Sequence, residues 1–362
     1  MNEFDQYIRQ GEPSQQERAA YWRTAIGLQA VDGLQTSDYL KATALKHIEG
    51  EIDIDQARQL IRNYYQSKAT RETIDDDQQE ADKASANITK ILSSVSLDFS
   101  ANGFVSLHRR IFEGVLKHAG EIRRYDITKK EWVLDADTVN YLNWEDLYRA
   151  LEFDIEQERQ FSYKNLSLEQ QVLHIAQFVS GLWQIHPFGE GNTRTTAVFT
   201  ILYLRHIGFS VNNDLFATNS WYFRNALVRA NYKNALKGID YSPVYLERFF
   251  RNLLMGEQWD LRNRYLHISP APEWQVQPQL GSEEGVTTTE KTTEKTTEKS
   301  AESIILREMR SNPYVTQKQL AIKCGLTEDG VYYVVSKLRR SGVVKRLGGR
   351  KLGHWEVLVG IC

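Results

Sequence analysis

Between Ile185 and Thr195 the chain reads Ile-His-Pro-Phe-Gly-Glu-Gly-Asn-Thr-Arg-Thr. A titratable base, a carboxylate, a glycine-bounded turn and a guanidinium thus stand within nine residues, His186 to Arg194, and together they suit work on phosphate. His186 can accept a proton near neutral pH. Pro187 biases it away from helical backbone, so an extended loop position is expected. Gly191 lets the backbone approach a phosphate closely, Asn192 can orient the turn with its amide, and Arg194 can make a forked contact to phosphate oxygens. Glu190 is a single carboxylate beside that turn, a setting that suits Mg²⁺, which keeps several waters and needs few protein ligands.

Two elements must hold these groups. Leu168 to Ile185 carries Val172, Ile175, Ala176, Val179, Leu182 and Trp183 on one helical stripe, and this helix delivers His186. The apolar run Val198 to Leu204 predicts a second helix opening around Gly191 and Asn192, whose N-terminus would favour an anion. Upstream, helices are expected over Ser14 to Gln29, Ser37 to His47 and Ile54 to Ser67, the second capped within Thr36-Ser37-Asp38. The polar stretch Gln78 to Ser93 predicts a further, exposed helix.

The chain has 362 residues, 41% of them hydrophobic, and a net charge of −2, which excludes a globally basic nucleic-acid binder. Cys324 and Cys362 are too few for a disulfide framework or a cysteine-based zinc site. No apolar run approaches the roughly 18 residues of a membrane span, and the N-terminus lacks an apolar signal region, so no membrane partner and a cytoplasmic location are expected. A Walker A loop and a His-Glu-x-x-His zinc motif are both absent.

The string from His186 to Arg194 resembles the Fic family signature, His-Pro-Phe-x-(Asp/Glu)-Gly-Asn-x-Arg, at every fixed position. Leu107 to Phe112, followed by Ala119-Gly120-Glu121-Ile122-Arg123, is similar to the family's first helix and its Ala-Gly-x-x-Arg turn. The resemblance implies a mainly α fold, a Fic-type helical bundle with a β-hairpin flap. It further implies a protein adenylyltransferase, moving AMP from ATP to a Ser, Thr or Tyr hydroxyl. His186 would take the hydroxyl proton, Mg²⁺ on Glu190 would bridge the α- and β-phosphates, and Phe188, Gly189, Gly191, Asn192, Thr193 and Arg194 would surround the nucleotide. The segment 127–141 would be the flap that holds a target protein by strand addition. Asn219 to Asn225 falls where the family lines its adenine pocket, which implicates Tyr222 and Asn225. Another donor, such as a UMP or phosphocholine compound, stays open, as does a DNA-binding regulator whose Fic domain senses nucleotide or is weakly active.

Many Fic proteins carry an inhibitory (Ser/Thr)-x-x-x-Glu-(Gly/Asn) helix whose glutamate pairs with a second arginine, three residues after the first. Here Leu28-Gln29-Ala30-Val31-Asp32-Gly33 resembles it, with Asp32 as the regulatory carboxylate and self-modification as the activity to be restrained; Leu45 to Gly50 is a second candidate. Position 28 is Leu, and position 197, where the second arginine would stand, is Ala. A brake at Asp32 would therefore use Arg194 or steric block.

Pro270 to Ser300 holds three prolines and a Thr-Thr-Glu-Lys repeat, a linker composition. Beyond it, helices over Ser303 to Met309, Val315 to Lys323 and Thr327 to Leu338, then a Gly-Gly hairpin, resemble a winged helix-turn-helix. Residues 301–362 hold eleven Lys or Arg against five Asp or Glu, so DNA is a candidate partner. A dimerisation or partner-binding winged helix is the other reading, and a homo-oligomer stays open. The expected organisation is an N-terminal antitoxin-like helical region (1–93), a Fic catalytic domain (94–269), a linker (270–300) and the winged helix module (301–362).

Overall fold

A computed structural model describes residues 4–69, 75–94, 96–210 and 213–269 and, nearer the C-terminus, 304–306, 308–310, 312–313, 315–324, 328–340, 343–347 and 354–358. The expected linker lies outside the described residues. The chain divides into two compact units, Met1–Leu280 and Gly281–Cys362.

The first unit is helical. Its helices are α1 (Asp5–Gln10), α2 (Pro13–Gly27), α3 (Asp38–Glu49), α4 (Ile54–Ala69), α5 (Asp76–Leu92), α6 (Ala101–Phe112), α7 (Leu147–Gln160), α8 (Leu168–Ile185), α9 (Asn192–His206), α10 (Asp214–Thr218), α11 (Ser220–Ala230) and α12 (Val244–Met255). Local chemistry sets several boundaries. Ser37 accepts from the Leu40 amide at the start of α3, Ser100 from Gly103 at α6, and Ser167 forms a reciprocal capping box with Gln170 at α8. A 3₁₀ turn, Leu28–Asp32, continues α2 and stops at Gly33, whose φ of 69° is left-handed.

Helix α9 is the central pole. Every residue from Asn192 to Leu204 is buried, and the helix packs against α5, α6, α8 and the 3₁₀ turn. The main core includes Phe104, Leu107, Val179, Leu182, Phe199 and Phe223, and a second cluster joins α1 to α4. Helix α2 spans both, with Trp22 in the outer cluster and Ala25 in the main one, which Leu28 of the following turn also enters. That burial carries the 3₁₀ turn onto α9. Trimming Leu182 to Ala would cost about 2–5 kcal/mol, because a packed site collapses only partly.

Three expectations need correction. The stretch expected as an exposed polar helix is α5, and it is largely buried. Two of its buried polar groups are satisfied internally: Asp82 accepts from the Ser37 amide and hydroxyl and from the Tyr65 hydroxyl, and Asn87 donates to the Ile111 and Glu113 carbonyls. His186 is left-handed (φ 50°, ψ 57°) rather than extended, a conformation that also avoids the right-handed helical region Pro187 disfavours. Segment 127–141 folds back as an arch without strand pairing. The Glu131 amide bonds the Asp137 carbonyl at 2.9 Å around a 3₁₀ turn, Trp132–Leu134, and Val133, Leu134 and Val139 enter the core instead of a ladder.

The second unit has helical turns at 304–306 and 308–310, α13 (Gln317–Cys324), α14 (Glu328–Arg340) and an antiparallel pair, β1 (Val344–Leu347) and β2 (His354–Val357), in register Val344 to Val357. Its own core holds Ile305, Leu320, Val331, Val335 and Trp355. The Trp355 indole donates to the Val315 carbonyl at 3.2 Å, which ties the strand pair to the helices. The expected Gly-Gly turn lies outside the described residues. Among the described residues no helix is long and apolar enough to cross a membrane.

Candidate functional site

Helix α8 ends at His186, which caps it in the left-handed conformation. The imidazole is 2% exposed, lies edge-on to Trp183, and packs 4.1 Å from the Tyr141 ring. Nδ1 lies 3.2 Å from the Trp183 carbonyl, and Nε2 is buried without a hydrogen-bond partner. A carbonyl only accepts, so Nδ1 carries the proton and Nε2 presents a lone pair. Burial first, then the Lys129, Arg224 and Arg123 charges, hold this histidine well below its ordinary range, against the opposing effect of the Trp183 carbonyl.

The loop after His186 is clamped from several sides. Arg123 donates from its amide to the Pro187 carbonyl and from Nε to the His186 carbonyl, both at 2.9 Å. Phe188 stacks on His108 at 3.7 Å. The Gly120 amide donates to His108 Nδ1 at 2.8 Å, so Nε2–H is left to donate to the Glu190 carbonyl at 3.0 Å. Burial holds His108 neutral, with its pKa lowered to about 4. The Asn192 side chain spans the turn, accepting from the Phe188 amide at 3.0 Å and donating to its carbonyl at 2.7 Å. Thr193 accepts from the Trp183 indole at 2.9 Å.

Both glycines fit tight places. A Cβ on Gly189 would meet the Tyr125 hydroxyl at 2.6 Å; on Gly191, whose φ is 76°, it would meet the Phe112 ring at 2.3 Å. Gly191 opens α9 without a side-chain cap, so the first amides of the helix remain available to an anion. Glu190 is exposed and forms no ion pair among the described residues. No cluster of three or more His, Cys, Asp or Glu groups there could hold a metal by itself.

Arg194 is fully buried and engaged from three directions. Nη1 donates to Gln29 Oε1 at 3.0 Å, Nη2 to Glu80 Oε1 at 2.5 Å, and Nε lies 2.7 Å from Asp32 Oδ2. Its guanidinium also sits over the Phe112 ring at 4.7 Å. Burial pushes the Asp32 carboxyl up, but the Arg194, Arg224 and Lys129 charges outweigh it and hold the group below its ordinary range. Ala197, one turn later on α9, is buried and brings no charge. Glu49, in the second candidate segment, ends α3, is exposed, and accepts from Tyr7, which packs against the outer cluster.

Tyr222 and Asn225 do not present open faces. Tyr222 is 1% exposed and donates to the Tyr245 carbonyl at 3.2 Å, while Asn225 donates to Asn263 at 2.7 Å. Between them on α11, Arg224 points to the site: Nη1 donates to the Val31 carbonyl at 3.2 Å, and Nη2 to both Glu131 carboxylate oxygens at 3.0 and 2.8 Å. Glu131 also accepts from Tyr141, the tyrosine beside His186. Sequence reasoning missed Gln29, Glu80, His108, Glu131 and Arg224. Arg224 lies within the Asn219 to Asn225 segment, but nothing in its spacing separates it from a surface arginine.

Residues 98–204 match the Fic/DOC family model, and residues 304–345 match a winged helix-turn-helix DNA-binding model. No curated protein matches the chain. Among solved structures, the N-terminal Fic domain of a VirB-translocated effector from Bartonella sp. AR 15-3 is 20% identical over 48% of this chain and 81% of that one, with a TM-score of 0.38. The effector BepC from Bartonella tribocorum, solved with bound AMPPNP, is 17% identical over 46% and 80%, at 0.35. A Fic family protein from Desulfovibrio desulfuricans G20 is 10% identical over 97% and 98%, at 0.38. The signature string lies inside the first matched segment, so the chain carries a Fic/DOC domain over 98–204 and a winged helix-turn-helix over 304–345.

Proposed function

We propose that the Fic domain is a protein adenylyltransferase that moves AMP from ATP to a Ser, Thr or Tyr hydroxyl, and that the Leu28–Asp32 turn restrains it. The observation that carries the reading is His186: buried, neutral, with Nδ1 committed to Trp183 and Nε2 unpartnered. In the reaction the target hydroxyl gives its proton to Nε2 as its oxygen attacks the α-phosphorus. The bond from that phosphorus to the bridging oxygen breaks, and pyrophosphate leaves. The open N-terminus of α9 and Asn192 shape the phosphate cradle.

Glu190 fits a Mg²⁺ ion that takes most of its ligands from phosphate and water, since it is one exposed carboxylate without a competing ion pair among the described residues. Such an ion would neutralise phosphate charge. Target recognition falls to the 127–141 arch, with Thr138 and Asn140 in its returning limb. The domain limits 1–93, 94–269, 270–300 and 301–362 follow from the same reading. The winged helix unit would bind DNA through α14 and the strand pair; a gel shift of random duplex that weakens with salt tests this, and a shift absent even at low salt would refute it.

For the enzyme, incubation with α-labelled ATP and Mg²⁺ is decisive. Label should pass to the chain or to lysate proteins from Asp32→Ala, and be lost in Asp32→Ala/His186→Ala. Equal labelling of the two would sink the assignment. Competition by unlabelled UTP or a phosphocholine donor distinguishes other transferred groups.

A further inference from the structure

Two arginines from different helices grip one short turn. Arg194 on α9 holds Gln29 and Asp32, and Arg224 on α11 holds the Val31 carbonyl between them. Val31 and Asp32 are adjacent, with Cα atoms about 3.8 Å apart, and both arginine charges act on the Asp32 carboxyl, so the two side chains meet at one end of the turn.

We propose that Arg224 is the second phosphate-binding cation of the site, a role that Ala197 on α9 cannot take, and that the Val31 carbonyl keeps it in reserve until the turn moves away. The inference rests on the nucleotidyl-transfer reading above and deepens it by naming the residue that recognises the outer phosphates of a nucleoside triphosphate.

The contacts around Arg224 favour this role over a purely structural one. Glu131, nearly fully buried, fixes Nη2 through both carboxylate oxygens, which holds the guanidinium in place whether or not the turn is present. Nη1 is spent on a neutral backbone carbonyl, the weakest of its contacts and the one a phosphate oxygen would replace with gain. Nε is buried with no hydrogen-bond partner. Burial works against the charge, but Glu131 and Asp32 outweigh it and keep the group cationic. Displacing one turn therefore frees a donor on each arginine at once. Restraint and triphosphate binding become mutually exclusive uses of the same two side chains.

The test is nucleotide binding by the full-length chain in an Asp32→Ala background, measured by competition against a fluorescent ATP analogue with ATP and AMP as separate competitors. Replacing Arg224 by Ala should weaken ATP about tenfold, the scale of one charge-assisted hydrogen bond, and leave AMP within about twofold. Arg224→Lys, which keeps a charge beside Glu131, should recover part of the ATP affinity and guards against a variant that fails to fold. The ATP-to-AMP ratio is internal to each protein. An equal loss for both nucleotides, or no loss for either, overturns the proposal, as does failure of the background protein to bind ATP. Should the background bind ATP in preference to AMP through Arg224 yet transfer no label, this inference stands and the transferase reading falls.

Discussion

Asp32 Oδ2 lies 2.7 Å from Arg194 Nε, so the residue that ends the 3₁₀ turn is ion-paired to the last fixed residue of the signature string. Arg194 is fully buried while the Asp32 side chain keeps 31% of its surface, so the carboxylate is the solvent-facing side of the pair. The arginine does not depend on Asp32 alone, because Glu80 and Gln29 hold its other nitrogens. Removing Asp32 thus leaves a compensated cation, which spares the protein the 3–5 kcal/mol cost typical of orphaning a buried charge.

Asp32→Ala should consequently fold and raise self-labelling by about 10- to 100-fold, the scale of one charged contact released to phosphate. Glu80→Gln keeps an acceptor on Nη2 and should change labelling by less than about threefold on the same scale. Initial rates of label incorporation measure both. Unchanged labelling in Asp32→Ala would remove the turn from any regulatory role.

The rate should carry the signature of a histidine held neutral. Because the His186 pKa is lowered well below 6.5, its base form persists as pH falls through the range where an ordinary histidine protonates. Labelling by Asp32→Ala at saturating ATP is expected to differ by less than about twofold between pH 8 and pH 6. A rate that halves near pH 6.5 would show that the buried environment of His186 does not persist in the working state.

How much of this was legible in the sequence follows from the range of the forces involved. Helix α8 was readable to the residue, since its apolar stripe and the Ser167 cap are local. The Asn192 turn was readable too, because a short amide can reach only its own loop. Asp32 came from a family resemblance, and its partner from elimination at Ala197. Glu80 was not readable: in α5 it is one polar residue among many, and only the packing of α5 against α9 turns it toward Arg194. Segment 127–141 misled because Val133 and Val139 carry β-propensity, yet burial of those side chains and of Leu134 in the core outweighs it.

Folding stability should fall between pH 6.5 and pH 4. His47 and His108 both have pKa values lowered to about 4, chiefly by burial, and His47 accepts from the Trp22 indole at 2.9 Å. Between the two pKa values the unfolded chain binds more protons, so each neutral histidine contributes stability that is fully present above pH 6.5 and is lost as pH falls toward 4. The contribution is on the order of 3 kcal/mol each. Asp82, whose carboxyl is pushed up by burial, acts in the opposite sense below its own pKa. Thermal unfolding of His47→Gln, which cannot titrate, should show a shallower decline over this window than the wild type. Parallel curves would remove His47 from the account.

The glycine that opens α9 provides a test of packing that does not depend on catalysis. Gly114 and Gly191 have nearly equal φ, 71° and 76°, so a side chain at either meets the same backbone strain. Their surroundings differ: a Cβ at Gly114 meets nothing within 4 Å, whereas at Gly191 it enters the Phe112 ring. Phe112 cannot easily yield, because it is fully buried and supports the Arg194 guanidinium. Gly114→Ala should therefore cost about 1 kcal/mol from backbone strain alone, and Gly191→Ala about 2–4 kcal/mol once the overpacking is added. Urea unfolding of the two variants separates these contributions. Equal losses would mean that the ring moves aside without cost, and that the close approach at Gly191 is not what restricts position 191 to glycine.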